Sequence, residues 1–150
     1  MSFSIPLPLD DDGFLRRECP SCGQEFKWHD GPTDDRPEGE VEPPVYWCPL
    51  CGESAGPDSW WTQAQLEYIQ QSAMPHVHEA IGRELRGAFR GQKGISVRTT
   101  AADVPVPDAL HEPNDMVIVL PPCHPWEPIK VPERHGGQLH CLVCGSPFAI

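Results

Sequence analysis

The sequence predicts an α+β fold in which two small metal-pinned β-hairpin units flank a short two-helix segment. Seven cysteines lie towards the two ends of the chain, and six of them form C-x2-C pairs. The middle of the chain carries apolar residues at helical spacing, while 19 prolines and 13 glycines interrupt regular structure elsewhere. Only 39% of the residues are apolar, so a single large core is not expected. Small modules of this composition often depend on bound metal for stability.

Residues 1–56 are predicted to form the first hairpin unit around a four-cysteine site. The stretches "ECPSCG" and "YWCPLCG" each supply a C-x2-C pair followed by glycine, which permits a tight turn. Four thiolates within tetrahedral reach of one another suit Zn²⁺. The ligands of this site would be Cys19, Cys22, Cys48 and Cys51. We expect "FLRRE" to be a strand leading into the first pair, and "EFKW" and "VYW" to pair with each other.

The stretch "CPSCGQEFKWHDG…VYWCPLCG", roughly residues 18–52, resembles the zinc-ribbon family and its rubredoxin-like relatives. Its four cysteines match the ligand positions, and Phe26, Tyr46 and Trp47 match the core aromatic positions of rubredoxin-like folds. The resemblance implies structural zinc if the chain is a zinc ribbon, or iron for electron transfer if it is a rubredoxin. Beyond Cys51 the chain does not continue in the rubredoxin manner. A closed all-cysteine site in a small intracellular module is usually structural, which favours zinc.

Residues 57–94 are predicted to form two helices separated by a kink near Pro75. Asp58 or Ser59 would cap the first helix, and Pro75 would stop it and suit the first turn of the second. The second helix, "HVHEAIGRELRGAFRG", has an apolar stripe expected to face inward: Val77, Ile81, Leu85 and Ala88. Its opposite stripe is polar and basic: His76, Glu79, Arg83, Arg86 and Arg90. Trp60 and Trp61 precede the helical pattern and are expected to be core residues rather than a partner-binding patch.

Residues 95–150 are predicted to form a second, β-rich unit with a metal site of three cysteines and one histidine. "ISVRT", "MVIVL" and "SPFAI" are expected strands. Each cysteine-bearing turn is called a knuckle, and the order strand, knuckle, hairpin, knuckle weakly repeats the first unit. Cys123, Cys141 and Cys144 supply three ligands.

Alignment of the knuckles places Trp126, which cannot bind zinc, at the fourth ligand position. His135 would lie at a distant hairpin tip, and His140 would point away from its strand neighbour Cys141. His124 lies in a knuckle turn, where this alternation is relaxed, so it is the preferred fourth ligand over His135 and His140.

The sequence favours a zinc-binding adaptor or regulatory module with two structural Zn²⁺ ions and another protein as partner. No Gly-rich phosphate loop or nucleophile motif is present, and "HVHEAIG" lacks the second histidine of H-E-x-x-H, so an enzyme is not expected. No secretory signal or membrane-spanning run is visible, so we expect a soluble cytoplasmic protein with metal-bound rather than disulfide-bonded cysteines.

Three alternatives remain open at this stage. Nucleic-acid binding could use the stripe of Arg83, Arg86 and Arg90, although a net charge of −11 opposes nonspecific binding to phosphates. An iron-loaded first site would make the protein an electron carrier of the rubredoxin type. A second site with only three protein ligands would leave a position for water and allow zinc catalysis.

Overall fold

The computed structural model describes residues 5–91, 94 and 108–149. Within these residues it contains eight short strands and one helix, which confirms the α+β class. In chain order these elements are β1 (Phe14–Glu18), β2 (Glu25–His29), β3 (Tyr46–Trp47), β4 (Ser54–Ala55), α1 (Gln63–Ala88), β5 (Val117–Val119), β6 (Ile129–Val131), β7 (Leu139–His140) and β8 (Pro147–Phe148). One antiparallel sheet has the order β1-β2-β6-β5, and β3-β4 and β7-β8 form two-stranded sheets.

The predicted pairing of "EFKW" with "VYW" is wrong. β2 pairs with β1 on the other side of the first knuckle, and β3 pairs with β4 across the second knuckle. The reason is that each C-P-x-C-G knuckle is itself the hairpin turn. The Cys19 N–H donates to Gln24 O at 3.0 Å, and the Cys48 N–H donates to Glu53 O at 2.8 Å. The chain therefore reverses within the knuckle, and the residues that flank it become partners.

The two halves of the chain meet in the middle of the larger sheet, where β2 and β6 are neighbours. Lys27 lies opposite Lys130, and Trp28 lies opposite Ile129. One compact unit of the fold comprises Leu7–Thr62 and His111–Ile150, and a second unit carries α1. Strands from both predicted hairpin units thus share one sheet. The expected strands in "FLRRE", "MVIVL" and "SPFAI" appear as β1, β5 and β8, whereas "ISVRT" lies outside the described residues.

One face of the larger sheet carries the apolar core. Phe26, Ile129 and Val131 are buried, and the fully buried Trp60 packs edge-on against Phe26 with ring centroids 5.7 Å apart. Trp60 is therefore a core residue, as predicted. Trp61 is partly exposed, and the Arg17 guanidinium lies over its ring at 4.5 Å.

The opposite face carries buried charges that the sequence pattern does not predict. Lys27 and Lys130 are 0% and 1% exposed, and both Nζ atoms contact Asp10 Oδ2, at 3.0 and 2.8 Å. The other Asp10 oxygen accepts the N–H groups of Asp12 and Phe14, which fixes the carboxylate in place. Although burial opposes ionisation, the hydrogen bonds from Lys130, Phe14 and Lys27 hold the Asp10 pKa well below its usual value.

A single helix runs from Gln63 to Ala88 through Pro75, so the two-helix prediction is wrong. A proline removes one main-chain hydrogen bond and strains one turn, and here the helix-forming residues on both sides continue the helix through it. The helix starts later than Asp58 or Ser59. This is because the Glu18 N–H donates to Trp60 O, which ties the preceding segment to the end of β1.

The apolar stripe of α1 does not face inward as predicted. Val77, Ile81 and Leu85 are 43%, 51% and 43% exposed, and Ala88 is also exposed. An amphipathic pattern shows that a helix has an apolar face, but it does not show that the chain itself covers that face. Among the described residues, no helix is both long enough and apolar enough to cross a membrane.

Candidate metal centres

The first candidate centre brings together the four cysteines predicted from the two C-P-x-C-G knuckles. The sulfurs of Cys19, Cys22, Cys48 and Cys51 all lie within 4.8 Å of one another. Two of the separations are 3.7 Å, between Cys19 and Cys51, and 3.9 Å, between Cys22 and Cys48. Tetrahedral Zn–S bonds of about 2.3 Å require sulfur–sulfur edges of about 3.8 Å. The arrangement therefore fits a zinc ion.

Main-chain N–H groups of the knuckles point at the sulfurs of this centre. Cys19 Sγ accepts from Ser21 and Cys22, both at 3.3 Å, and Cys48 Sγ accepts from Leu50 at 3.4 Å. Burial opposes ionisation of Cys19, but these hydrogen bonds lower its pKa, whereas burial raises the pKa of Cys48 above its usual range. A bound cation would keep such a mixed set of thiols deprotonated.

The second candidate centre consists of Cys123, His124, Cys141 and Cys144, whose ligand atoms also lie within 4.8 Å of one another. Cys123 Sγ is 3.5 Å from Cys144 Sγ, and His124 Nδ1 is 3.4 Å from Cys141 Sγ. Zinc bond lengths of about 2.3 Å to sulfur and about 2.0 Å to nitrogen require a sulfur–nitrogen edge of about 3.5 Å. The four donors therefore fit a closed tetrahedral site.

The two rival histidines lie elsewhere. His135 Nε2 is 3.4 Å from the main-chain oxygen of Gln138, and the His140 ring lies against Gly52 of the first centre. The structure thus places His124, rather than His135 or His140, with the three cysteines.

The pKa values of the thiols in the second centre are shifted in different directions. Burial raises the pKa of Cys141 to about 12. Burial also opposes ionisation of Cys144, but hydrogen bonding to the Ser146 side chain and N–H lowers its pKa to about 6. Cys144 Sγ and Ser146 Oγ are 3.2 Å apart. Burial raises the pKa of Cys123 as well, so metal binding must displace protons from both Cys123 and Cys141.

The two centres are joined by reciprocal contacts between their second knuckles. The residue before Cys48 is Trp47, and its N–H donates to Leu142 O at 2.9 Å. The residue before Cys141 is His140, and its N–H donates to Pro49 O, also at 2.9 Å. The aligned stretches "YWCPLCG" and "LHCLVCG" carry the sequence signal for this symmetry, which knuckle spacing alone does not reveal.

The glycines that end these knuckles are also in reciprocal contact with the preceding residues. A Cβ atom at Gly145 would lie 2.6 Å from Trp47 Cδ2, and one at Gly52 would lie 2.9 Å from His140 Nε2. Both glycines have positive φ, at +75° and +81°. Each knuckle therefore needs glycine for the turn and for close approach of the other centre.

Several basic residues in the described part of the chain are paired with carboxylates. Arg83 on α1 donates to Glu79 at 3.0 Å, as expected for an i,i+4 pair on a solvated helix face. Lys27, Lys130 and Arg16 are engaged by carboxylates on the charged face of the sheet. Within the described ranges, His76 and His78 belong to neither metal-binding group.

Comparisons of the chain with protein-family models, with curated proteins and with solved structures found no match. The likeness to zinc ribbons therefore rests on the ligand sets and on the knuckle hairpins. Two four-residue clusters are present in the described part of the chain, and both are compatible with zinc-ribbon-like metal sites.

Proposed function

We propose that the protein is a non-catalytic adaptor or regulatory interaction module that contains two structural zinc ions. The observation that carries this proposal is that each cluster offers four protein ligands at tetrahedral separations. A zinc ion with four protein ligands has no open position for water or substrate, which is the arrangement of structural rather than catalytic zinc.

The strand lengths support a structural role for the metal. β3, β4, β7 and β8 have two residues each, and isolated hairpins of this size are not stable in water. Zinc would supply the free energy that keeps the knuckles closed and the hairpins paired. Cys19, Cys22, Cys48 and Cys51 would hold one ion, and Cys123, His124, Cys141 and Cys144 the other.

Surface chemistry favours a protein over a nucleic acid as partner. The net charge of −11 repels phosphates, and Arg83 is already paired with Glu79. Several large apolar side chains on α1 or directly after its end are substantially exposed, which is common on proteins that bind other proteins. They are Leu66, Met74, Val77, Ile81, Leu85 and Phe89.

Cobalt substitution tests whether the sites are closed. Co²⁺ in place of zinc should give two intense tetrahedral spectra that do not change when cyanide or imidazole is added. A His124→Ala variant should open the second site and make its spectrum sensitive to the added ligand. A wild-type spectrum that responds to cyanide would contradict the proposal and favour zinc catalysis, and a red protein that contains iron would favour electron transfer.

A further inference from the structure

A small cavity of about 110 Å³ lies on the apolar side of the larger sheet. The rings of Trp28 and Tyr46 contribute to its wall, with centroids 4.8 Å apart and planes inclined by 42°. Glu42, Glu127 and Arg36 also line it. The cavity therefore combines two aromatic rings with an excess of negative charge, which is the chemistry that holds organic cations.

Two of the three charged side chains in the cavity already have partners. Glu42 accepts from Arg36 Nη1 through Oε1 and from the Tyr46 hydroxyl through Oε2, both at 2.9 Å. Arg36 also donates through Nη2 to the main-chain oxygen of Glu40 at 3.0 Å. These contacts fix Arg36 and Glu42 to each other and to their own loop.

Glu127 is the exception. Its side chain is partly buried, and among the residues that the structure describes none donates a hydrogen bond to its carboxylate. Arg36 attracts this carboxylate but donates no hydrogen bond to it, because its own donors are directed to Glu42 and Glu40. A cationic donor that entered the cavity would satisfy it.

A guanidinium group matches this cavity better than an ammonium group. It is planar and weakly hydrated, it stacks on aromatic faces, and it donates in a fork to a carboxylate. The fold already holds one guanidinium against aromatic rings, since Arg17 Cζ lies 4.6 Å from the Trp28 ring and 4.5 Å from the Trp61 ring.

We propose that the cavity binds an arginine side chain of a partner protein, with the guanidinium against the rings of Trp28 and Tyr46 and donating to Glu127. This inference rests on the proposed adaptor function and names the chemistry of the partner. The acidic charge of the chain would also attract a basic partner segment over a longer range.

The test uses the ¹⁵N-labelled, zinc-loaded full chain and the peptide acetyl-Gly-Arg-Gly-amide. Titration should produce saturable NMR shifts at the Trp28 indole and the Leu142 amide, which border the cavity. The citrulline peptide, which has the same shape without the charge, should produce no saturable shift. The lysine peptide should bind several-fold more weakly. Equal affinity for lysine and arginine, or binding of citrulline, would overturn the assignment.

The variant Glu127→Gln should weaken binding of the arginine peptide about tenfold, equivalent to about 1.4 kcal/mol. Glu133→Gln is the matched control, because Glu133 is exposed and does not line the cavity, and it should leave the affinity unchanged. If Glu127→Gln disturbs the neighbouring His124 and releases zinc, the wild-type contrast between arginine and citrulline peptides decides the question alone.

Three further outcomes separate the possible failures. Free arginine that binds as tightly as the peptide would assign the cavity to a small molecule and contradict a protein partner. A protein with two zinc ions that ignores the arginine peptide would overturn this inference and leave the structural role of zinc intact. A folded protein without zinc would overturn the proposed function itself.

Discussion

Replacement of Asp10 by asparagine should destabilise the protein far more than the same change at Asp12. Asparagine retains an oxygen that can accept the N–H groups of Asp12 and Phe14, so the local turn can persist. It removes the negative charge that lies between the buried Nζ atoms of Lys27 and Lys130. The variant therefore isolates the electrostatic role of Asp10 on the charged face of the sheet.

The expected loss of stability depends on the ion pairs that each lysine keeps in the variant. Breaking a buried ion pair by removal of one partner costs about 3–5 kcal/mol. Lys130 would keep Asp12 at 2.7 Å, and Lys27 would keep Glu112 at 3.1 Å, so the lower end of that range applies. A loss of about 3 kcal/mol corresponds to a decrease in Tm of about 6–12 °C for a chain of this size. The side chain of Asp12 is 46% exposed, so its replacement by asparagine should lower the free energy of unfolding by less than about 1 kcal/mol.

Thermal and urea denaturation of both variants should be measured at equal, saturating zinc, with far-UV circular dichroism and tryptophan fluorescence. Metal content must be the same in all samples, because zinc binding itself adds to stability. Equal and small losses for Asp10→Asn and Asp12→Asn would refute the reasoning, since they would show that the buried carboxylate does not hold the two lysines.

Three other predictions follow from the metal centres. Gly145→Ala should be about 1–3 kcal/mol less stable than Gly23→Ala in urea denaturation, because both glycines have positive φ but only a methyl group at residue 145 meets Trp47; equal losses would contradict the packing of the two knuckles. His124→Ala should lower the zinc content from two ions per chain to one, or weaken binding of the second ion, whereas His135→Ala should retain two zinc ions by elemental analysis. Loss of zinc from the His135 variant instead would reverse the ligand assignment. Zinc affinity, measured by competition with a chromophoric chelator, should fall as pH falls. The reason is that Cys141 has a pKa of about 12 before metal binding and must release its proton. An affinity independent of pH between 8 and about 6 would count against thiolate ligation.

The sequence predicts which residues come together in the two clusters, because metal-binding motifs place cysteines at short, fixed spacings. Cys19 and Cys22, like Cys141 and Cys144, lie within one turn, and a turn of that type presents both sulfurs to one point whatever surrounds it. The choice of His124 also depends on local geometry. The α+β class and the strands next to the knuckles follow from the same short-range signals.

The long-range pairing could not be predicted in the same way. "EFKW" contains alternating residues that could pair with several strands, and its true partners, β1 and β6, follow from how the two halves of the chain meet. Lys27 and Lys130 appear in the sequence as ordinary surface residues of strands. Their burial depends on Asp10, which lies 120 residues from Lys130 along the chain.

The helical segment shows the limit of periodicity. The stripe of Val77, Ile81 and Leu85 is apolar as the pattern indicates, but no sequence rule shows whether the chain covers it. Pro75 predicts a helix boundary, yet the helix of 26 residues continues through it, although an interior proline costs about 3 kcal/mol.

Metal stoichiometry of the untagged full chain, by native mass spectrometry together with elemental analysis, tests the central claim most directly. Two zinc ions per folded chain, with a mass that shows all seven cysteines free of disulfides, are the predicted result. One zinc ion per chain would contradict the second centre around Cys123 and His124. Iron in the first centre would contradict the structural role and would favour electron transfer.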